Sequence, residues 1–427
     1  MSIWIYMLLF LVLMLLDVPI SFSMMTATAL YCFETATNFS LFANTMSNAM
    51  ASFSMLAVPT FIFVGSYMNL LGFSDDIFDF AKALVGHRKG GLAHANVLAS
   101  MIFAGMSGSA IADAGGLGAI EVKAMTEAGY DDGFSAAITA TSAGIGPIIP
   151  PSISFVIYGS MTSISILTMF MAGMVPGILM GVSLMIMCYI MARRNPKIAP
   201  TTEKQPLKAA LISGLKALPA LGAPALLLGG MAGGKFTATE GGVMASVYVI
   251  LLSILYRRFS LKNLWEVLRS SVTTTTMVLF MMGAGQIFNN MITTCGLMRQ
   301  LLDGLMSLNN PFLVLLALDA ILLFEGCFMG GSSILILMTP FIMSLSLEMN
   351  FNLVHLGVVL VLTTMIGGTT PPMAPALFTT CKSCNVSFEK ALKPALWLLL
   401  PLGVLLLMLT YIPQLSTFLP TVLGIMP

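Results

Sequence analysis

The sequence predicts an all-α, polytopic membrane protein, and three observations carry that reading. Hydrophobic residues make up 57% of the chain and charged residues only 9%, which leaves too few polar side chains to cover soluble domains of this total length. Almost every stretch of about 20 residues between charge clusters is apolar enough to cross a hydrocarbon core roughly 30 Å thick. The period-2 alternation that a membrane barrel requires is absent, so the spans are helices.

Charge placement orders those spans. Lys and Arg cluster at Arg88-Lys89, at Arg193-Arg194 with Lys197, at Arg257-Arg258 with Lys262, and at Lys382 with Lys390; the positive-inside rule puts these in the cytoplasm. The candidate spans are then residues 2–16, 18–36, 56–72, 134–160, 166–192, 209–231, 238–256, 273–294, 353–380 and 392–413, with both termini in the periplasm. No basic residue precedes the first apolar run, Ile3 to Leu16, and no small-residue cleavage site follows it, so a retained span is expected rather than a signal peptide.

Two apolar stretches, 91–122 and 311–346, are too long for one crossing and are interrupted in the middle by Gly and Ser. They read as re-entrant hairpins, with tips at GMSGSAIAD (105–113) and MGGSSILIL (329–337). About 40 residues after each tip comes a helix broken at a double proline, GIGPIIPPS at 144–152 and IGGTTPPMAP at 366–375. Aligning Gly108 with Ser332 and Pro150-Pro151 with Pro371-Pro372 gives offsets of 224 and 221, so the chain is read as an internal duplication.

A surface arm helix is expected in each half, at 37–54 and 259–272. The first carries no basic residue and the second carries Lys262 and Arg269, as an inverted repeat with an odd number of spans per half requires. The predicted organisation is a first repeat over 1–194, a cytoplasmic linker over 195–208 and a second, inverted repeat over 209–427.

Interrupting a helix exposes N-terminal amides, which attract anions, and C-terminal carbonyls, which attract cations. Irregular backbone at membrane depth survives only where protein buries it or a wet cavity solvates it. Oxygen ligands for a Na⁺ ion are therefore expected around Ser107, Gly108 and Ser109 with Gly144, Gly146 and Pro147, and around Gly331, Ser332 and Ser333 with Gly367, Gly368, Thr369 and Thr370. A substrate anion is expected between the tips, at Ser107, Ser109, Asp113, Pro150, Ser333 and Pro371. Any single glycine here has close helix packing as its plainer reading; two tips and two breaks in the same order favour a site.

Acids at membrane depth are costly and usually functional. Asp113 follows the first tip, and can coordinate a cation, hold the tip or cap a helix. Glu325 and Asp319 lie in the ascending arm of the second hairpin. Glu240 suits the first turn of a helix.

The formal charge of +1, with no basic tail or aromatic-basic interleaving, gives no nucleic-acid surface. Catalysis finds no inventory: His87, His94 and His355 are scattered, and no HExxH, GxSxG or P-loop is present. Cys32, Cys188, Cys295 and Cys327 sit in or beside apolar runs as small hydrophobes, and Cys381-x-x-Cys384 lacks the second ligand pair of a metal site. Without ATPase machinery, an ion gradient is the expected driving force.

The motifs GMSGSAIADAGGLGAI, GIGPIIPPSISFVIYG, GHRKGGLAHANV and TTPPMAPALF together resemble the large membrane subunit of TRAP (tripartite ATP-independent periplasmic) transporters, over the whole length of the chain. That resemblance implies a fold similar to the divalent-anion/sodium symporters and an elevator motion. It also implies a separate small four-helix membrane subunit, a soluble periplasmic substrate-binding protein, and Na⁺-driven uptake of an organic acid across the bacterial inner membrane. Sialic-acid-like sugar acids and C4-dicarboxylates both suit such a site, and the sugar acid is the preferred expectation. The chain departs from the pattern at Gly330, where many relatives carry an acid, and at Ala238, where they carry proline. Two rival readings are a scaffold subunit whose partner transports, which the helix breaks argue against, and a channel, for which no filter ring or hydrophobic gate is visible.

Overall fold

A computed structural model of the chain describes residues 3–201 and 206–426. It is all helical, and among the described residues eight helices are long and apolar enough to cross a bilayer. Four of the residues of the expected linker, 202–205, lie outside the description.

The helices fall into two packed groups. A peripheral group comprises Ile3–Leu15, Ile20–Thr35, Phe39–Met50, Ala57–Leu70, Leu207–Ala232, Ala238–Leu255 and Leu261–Thr294, the last packing against the second, third and fourth of these. The other group holds the two hairpins and the two broken helices, backed by Ile166–Arg194 and Phe388–Tyr411. Phe73–Val85 bridges the two, lying against both Leu207–Ala232 and the first hairpin. Arg258 fixes the start of that bridge: its guanidinium donates to the Leu71 carbonyl at 2.6 Å, sits 3.6 Å from the Asp76 carboxylate and lies over the Phe73 ring at 5.4 Å.

Both expected hairpins form. The first rises as Gly91–Ser107 and returns as Ala110–Gly115 and Leu117–Glu127; the second rises as Pro311–Phe328 and returns as Gly331–Met349. Both broken helices form as well, as Asp132–Ala143 with Ile153–Thr162 and as Leu353–Gly367 with Pro375–Ser383. Proline removes a backbone donor and collides with the preceding turn, so the runs holding Pro147, Pro150 and Pro151, and Pro371, Pro372 and Pro375, cannot continue the helix. Pro150-Pro151 and Pro371-Pro372 are both cis. The helices ahead of the two breaks start alike: Asp131 accepts from the Phe134 amide at 2.8 Å and Asn352 from the His355 amide at 3.0 Å, again 221 residues apart.

The structure differs from the sequence reading in two respects. The arm expected at 259–272 is not a separate helix but the first third of the 34-residue Leu261–Thr294. In the first half the arm Phe39–Met50 does end, before a single 3₁₀ turn at Phe53–Leu56 and the following Ala57–Leu70. Pro59 falls at this boundary, where its missing amide and its ring disfavour a continuous helix through residue 55, and no proline interrupts 261–294. Three short helices, Phe73–Val85, Leu297–Met306 and Gln414–Val422, were absent from the expected spans. Glu240 takes the expected place in a helix's first turn, closing a capping box with Thr237: the Glu240 carboxylate accepts from the Thr237 amide at 2.8 Å.

Helices in lipid associate by close packing more than by burial of apolar area, so small residues mark the tightest contacts. Gly326 of the second hairpin meets Gly367 at the end of the broken helix, where a β-carbon on Gly326 would lie 2.7 Å from the Gly367 α-carbon. Tyr158 reaches between the halves, donating to the Leu353 carbonyl at 2.7 Å while its ring covers Gly357. Since both sides of the Gly326–Gly367 contact are backbone, Gly326→Ala should destabilise the fold by about 1–3 kcal/mol. Gly304→Ala, which meets open space inside the helix Leu297–Met306, should leave the detergent-solution melting temperature unchanged or raise it slightly, since alanine favours a helix interior over glycine.

Candidate functional site

The first tip and the first break are joined. Gly108 turns the chain with φ of 59° and accepts through its carbonyl from the Ile153 amide at 3.4 Å. A β-carbon at Gly108 would run into the Pro151 carbonyl, so the close approach and the positive φ both require glycine. Ser152 caps Ile153–Thr162, accepting from the Phe155 amide at 3.2 Å and donating to the Pro147 carbonyl. One N-terminal amide of this helix is thus satisfied by its cap and another by the opposite tip.

The second tip is more open. Gly330 precedes Gly331–Met349 and gives the helix no side-chain cap; the Ser333 and Ile334 amides turn back to the Gly330 carbonyl. A side chain at Gly330 would meet open space.

Between the tips lies a cavity of about 330 Å³, at the lower end of the usual range for a small-molecule site. Ser107, Gly108 and Ser109 come from the first tip, Pro147, Ile153 and Ser154 from the first break, and Gly331 and Ser332 from the second tip. Ser66, Ser270 and Thr274 add hydroxyls from the peripheral group, and Ile62, Val278 and Met365 give the wall an apolar part. No Lys, Arg or His is among these residues. The N-termini of two helices, Ile153–Thr162 and Gly331–Met349, both reach the cavity, and aligned peptide dipoles make such ends attractive to anions. A neighbouring cavity of about 120 Å³ is lined by Gly144, Gly330, Gly331, Thr364 and Gly368 among others, with Ala110, Gly331 and Met365 shared between the two.

Of the expected site residues, the structure therefore gathers Ser107, Gly108, Ser109, Pro147, Gly331 and Ser332 at the larger cavity and Gly144 and Gly368 at the smaller one. Gly146 sits beside the Asp113 carboxylate. Ser333 is buried one residue behind the wall, and Gly367 packs on Gly326. Thr369 and Thr370 direct their hydroxyls back to the Ile366 carbonyl at 3.0 and 2.8 Å, which leaves only their lone pairs for a ligand. Pro150 and Pro371 shape the breaks and line neither cavity.

Asp113 is buried, with one carboxylate oxygen accepting from the Ser107 hydroxyl. Its other oxygen, buried against Gly146, has no hydrogen-bond partner among the described residues. A buried carboxylate oxygen without a donor is costly, a cost that a proton or a hard cation at that point would relieve. Asp319 accepts from the Thr410 hydroxyl at 2.8 Å, away from the tips, and Glu325 lines neither cavity. Cys381 and Cys384 are free thiols. The sequence reading missed Ser66, Ser154, Ser270 and Thr274; the only local signal was the hydroxyl-rich run SSVTTTT at 270–276, and no spacing rule connects it to residue 66.

A helical membrane protein with two re-entrant hairpins and two broken helices around an internal cavity has the architecture of a permease. The chain belongs to the family described as the DctM component of tripartite ATP-independent periplasmic transporters, whose model matches residues 7–415. It is 36% identical to the sialic acid TRAP transporter large permease protein SiaM of Vibrio cholerae, over 94% of each chain. It is 37% identical to the sialic acid TRAP transporter permease protein SiaT of Haemophilus influenzae, over 99% of this chain and 69% of that one. The C4-dicarboxylate large permease protein DctM of Pseudomonas aeruginosa is 36% identical over 87% of each. The solved structure of the Alcanivorax borkumensis YdaH transporter shares the fold, with a TM-score of 0.59 at 13% identity over 91% of this chain and 88% of that one.

The unequal tips predict unequal tolerance. Gly108→Ala should abolish most transport per folded molecule, whereas Gly330→Ala should retain it; uptake into proteoliposomes, normalised to monodisperse protein, distinguishes the two.

Proposed function

We propose that this TRAP large permease carries a polyhydroxylated monocarboxylate, of the sugar-acid class, into the cell in symport with Na⁺. The convergence of two helix N-termini on one hydroxyl-lined cavity without a basic residue is the observation that carries this reading. A single carboxylate suits the amides at Gly331, Ser332 and Ser154, because helix ends supply partial rather than full positive charge. A second carboxylate would find no cationic side chain on the wall, while Ser66, Ser109, Ser270 and Thr274 can exchange hydrogen bonds with substrate hydroxyls. The names of two relatives, both sialic acid transporters, point the same way; the C4-dicarboxylate relative is the competing precedent.

Na⁺ is the second substrate. Asp113 and the carbonyls of the first break around Gly144 and Gly146 are the oxygen ligands proposed for one ion, and Gly331 with the second break around Gly368 those for another. A cation at Asp113 orders the latched tip and strengthens the end at which the anion binds, which makes the two affinities reciprocal.

The hairpin group is the moving part in an elevator cycle and the peripheral group, with its exposed apolar faces at Ile3–Leu15, Ile20–Thr35 and Leu207–Ala232, is the stationary scaffold. A separate small four-helix membrane subunit covers part of that scaffold, and a periplasmic binding protein delivers the acid. The inner membrane is the site of action, with the two halves inverted relative to each other and both termini periplasmic.

In proteoliposomes holding both membrane subunits and the loaded binding protein, uptake should require an inward Na⁺ gradient, and uptake indifferent to that gradient rejects symport. Asp113→Asn should raise the Na⁺ concentration for half-maximal uptake about tenfold or more, since affinity follows ligand charge. Competition should favour sugar acids, and preferential inhibition by a C4-dicarboxylate overturns the substrate class.

A further inference from the structure

Glu121 stands apart from the cavity, halfway down the returning arm of the first hairpin. It is 1% exposed, and its carboxylate accepts from the Asn96 side-chain amide at 2.8 Å. Asn96 is itself fully engaged, donating also to the Thr139 hydroxyl at 2.7 Å and accepting from the Ser142 hydroxyl at 2.7 Å. The second Glu121 oxygen is buried with no hydrogen-bond partner among the described residues.

Glu121 has no ion-pair partner among the described residues. The titratable groups that face it are Asp113 from Ala110–Gly115 and Cys384, at the end of Pro375–Ser383. From Gly91–Ser107 comes the neutral Asn96; His94 on that helix turns to the Lys89 carbonyl at 3.2 Å. Asp132 lies in the first turn of Asp132–Ala143, a turn and more before Thr139, and the acids Asp75 and Asp76 lie in the first turn of Phe73–Val85, with Lys82 in its last. Lys123 and Glu127 on its own helix pair with each other at 3.9 Å in exposed positions.

A buried carboxylate held by a single neutral amide and lacking a counter-charge is not stable as an anion; it takes up a cation. Na⁺ needs about six oxygen ligands, and Glu121 lines neither of the cavities at the tips. A proton needs one lone pair. The geometry points to Glu121 as a proton-binding site buried in the returning arm of the first hairpin.

Infrared spectroscopy of the full chain in lipid tests the site. A protonated-carboxyl stretch that disappears in Glu121→Gln is expected, the variant keeping an acceptor for Asn96. A spectrum without a Glu121-dependent band overturns the proton site. Should Glu121→Gln fail to fold, Asn96→Ala, which removes the donor to Glu121, should shift the wild-type band in frequency, and an unshifted band rejects the assignment.

Discussion

Unpaired backbone amides and carbonyls are intolerable in hydrocarbon, and the architecture of this permease follows from where the chain breaks that constraint. Four interruptions occur, two at hairpin tips and two at proline pairs. Each is kept by giving its backbone groups something to bind. The Gly108 carbonyl takes the Ile153 amide, Ser152 takes Phe155, and the amides of Ser333 and Ile334 fold back on Gly330. The N-termini of Ile153–Thr162 and Gly331–Met349 meet at one cavity, where groups that these local bonds leave unused could be met by a ligand.

Packing holds the interruptions at that depth. The Gly326–Gly367 contact brings two backbones together with no side chain between them, and Tyr158 ties the first broken helix to the start of the second through the Leu353 carbonyl. The wall contributed by Ser66, Ser270 and Thr274 belongs to the peripheral group. The cavity is thus an interface between the two groups of helices, and a shift of one group past the other changes its lining.

Much of this was legible in the residues because Gly, Ser and Pro punctuate apolar runs more strongly than any other signal. The tips at 105–113 and 329–337, the breaks at the proline pairs and the common spacing of the two halves follow from that punctuation. The fused helix Leu261–Thr294 was hidden for the complementary reason: a change from polar to apolar composition near residue 272 marks no boundary when neither Pro nor Gly accompanies it. Short helices such as Phe73–Val85 and Leu297–Met306 carry too much charge to read as spans and fell between the expected elements. At the site, the residues on the tips were legible and the opposing hydroxyls were not, since only packing brings residue 66 beside residue 270. The placement of Asp113 was legible; its unpartnered oxygen against Gly146 belongs to three-dimensional structure.

The two halves share an order of elements but not a state of closure. Gly108 is latched to the far half of its broken helix, and no backbone bond joins Met329–Gly331 to the second break among the described residues. The first tip is therefore fastened to its break through the backbone, whereas displacement of Gly330 and Gly331 against the second break would cost no backbone hydrogen bond between the two.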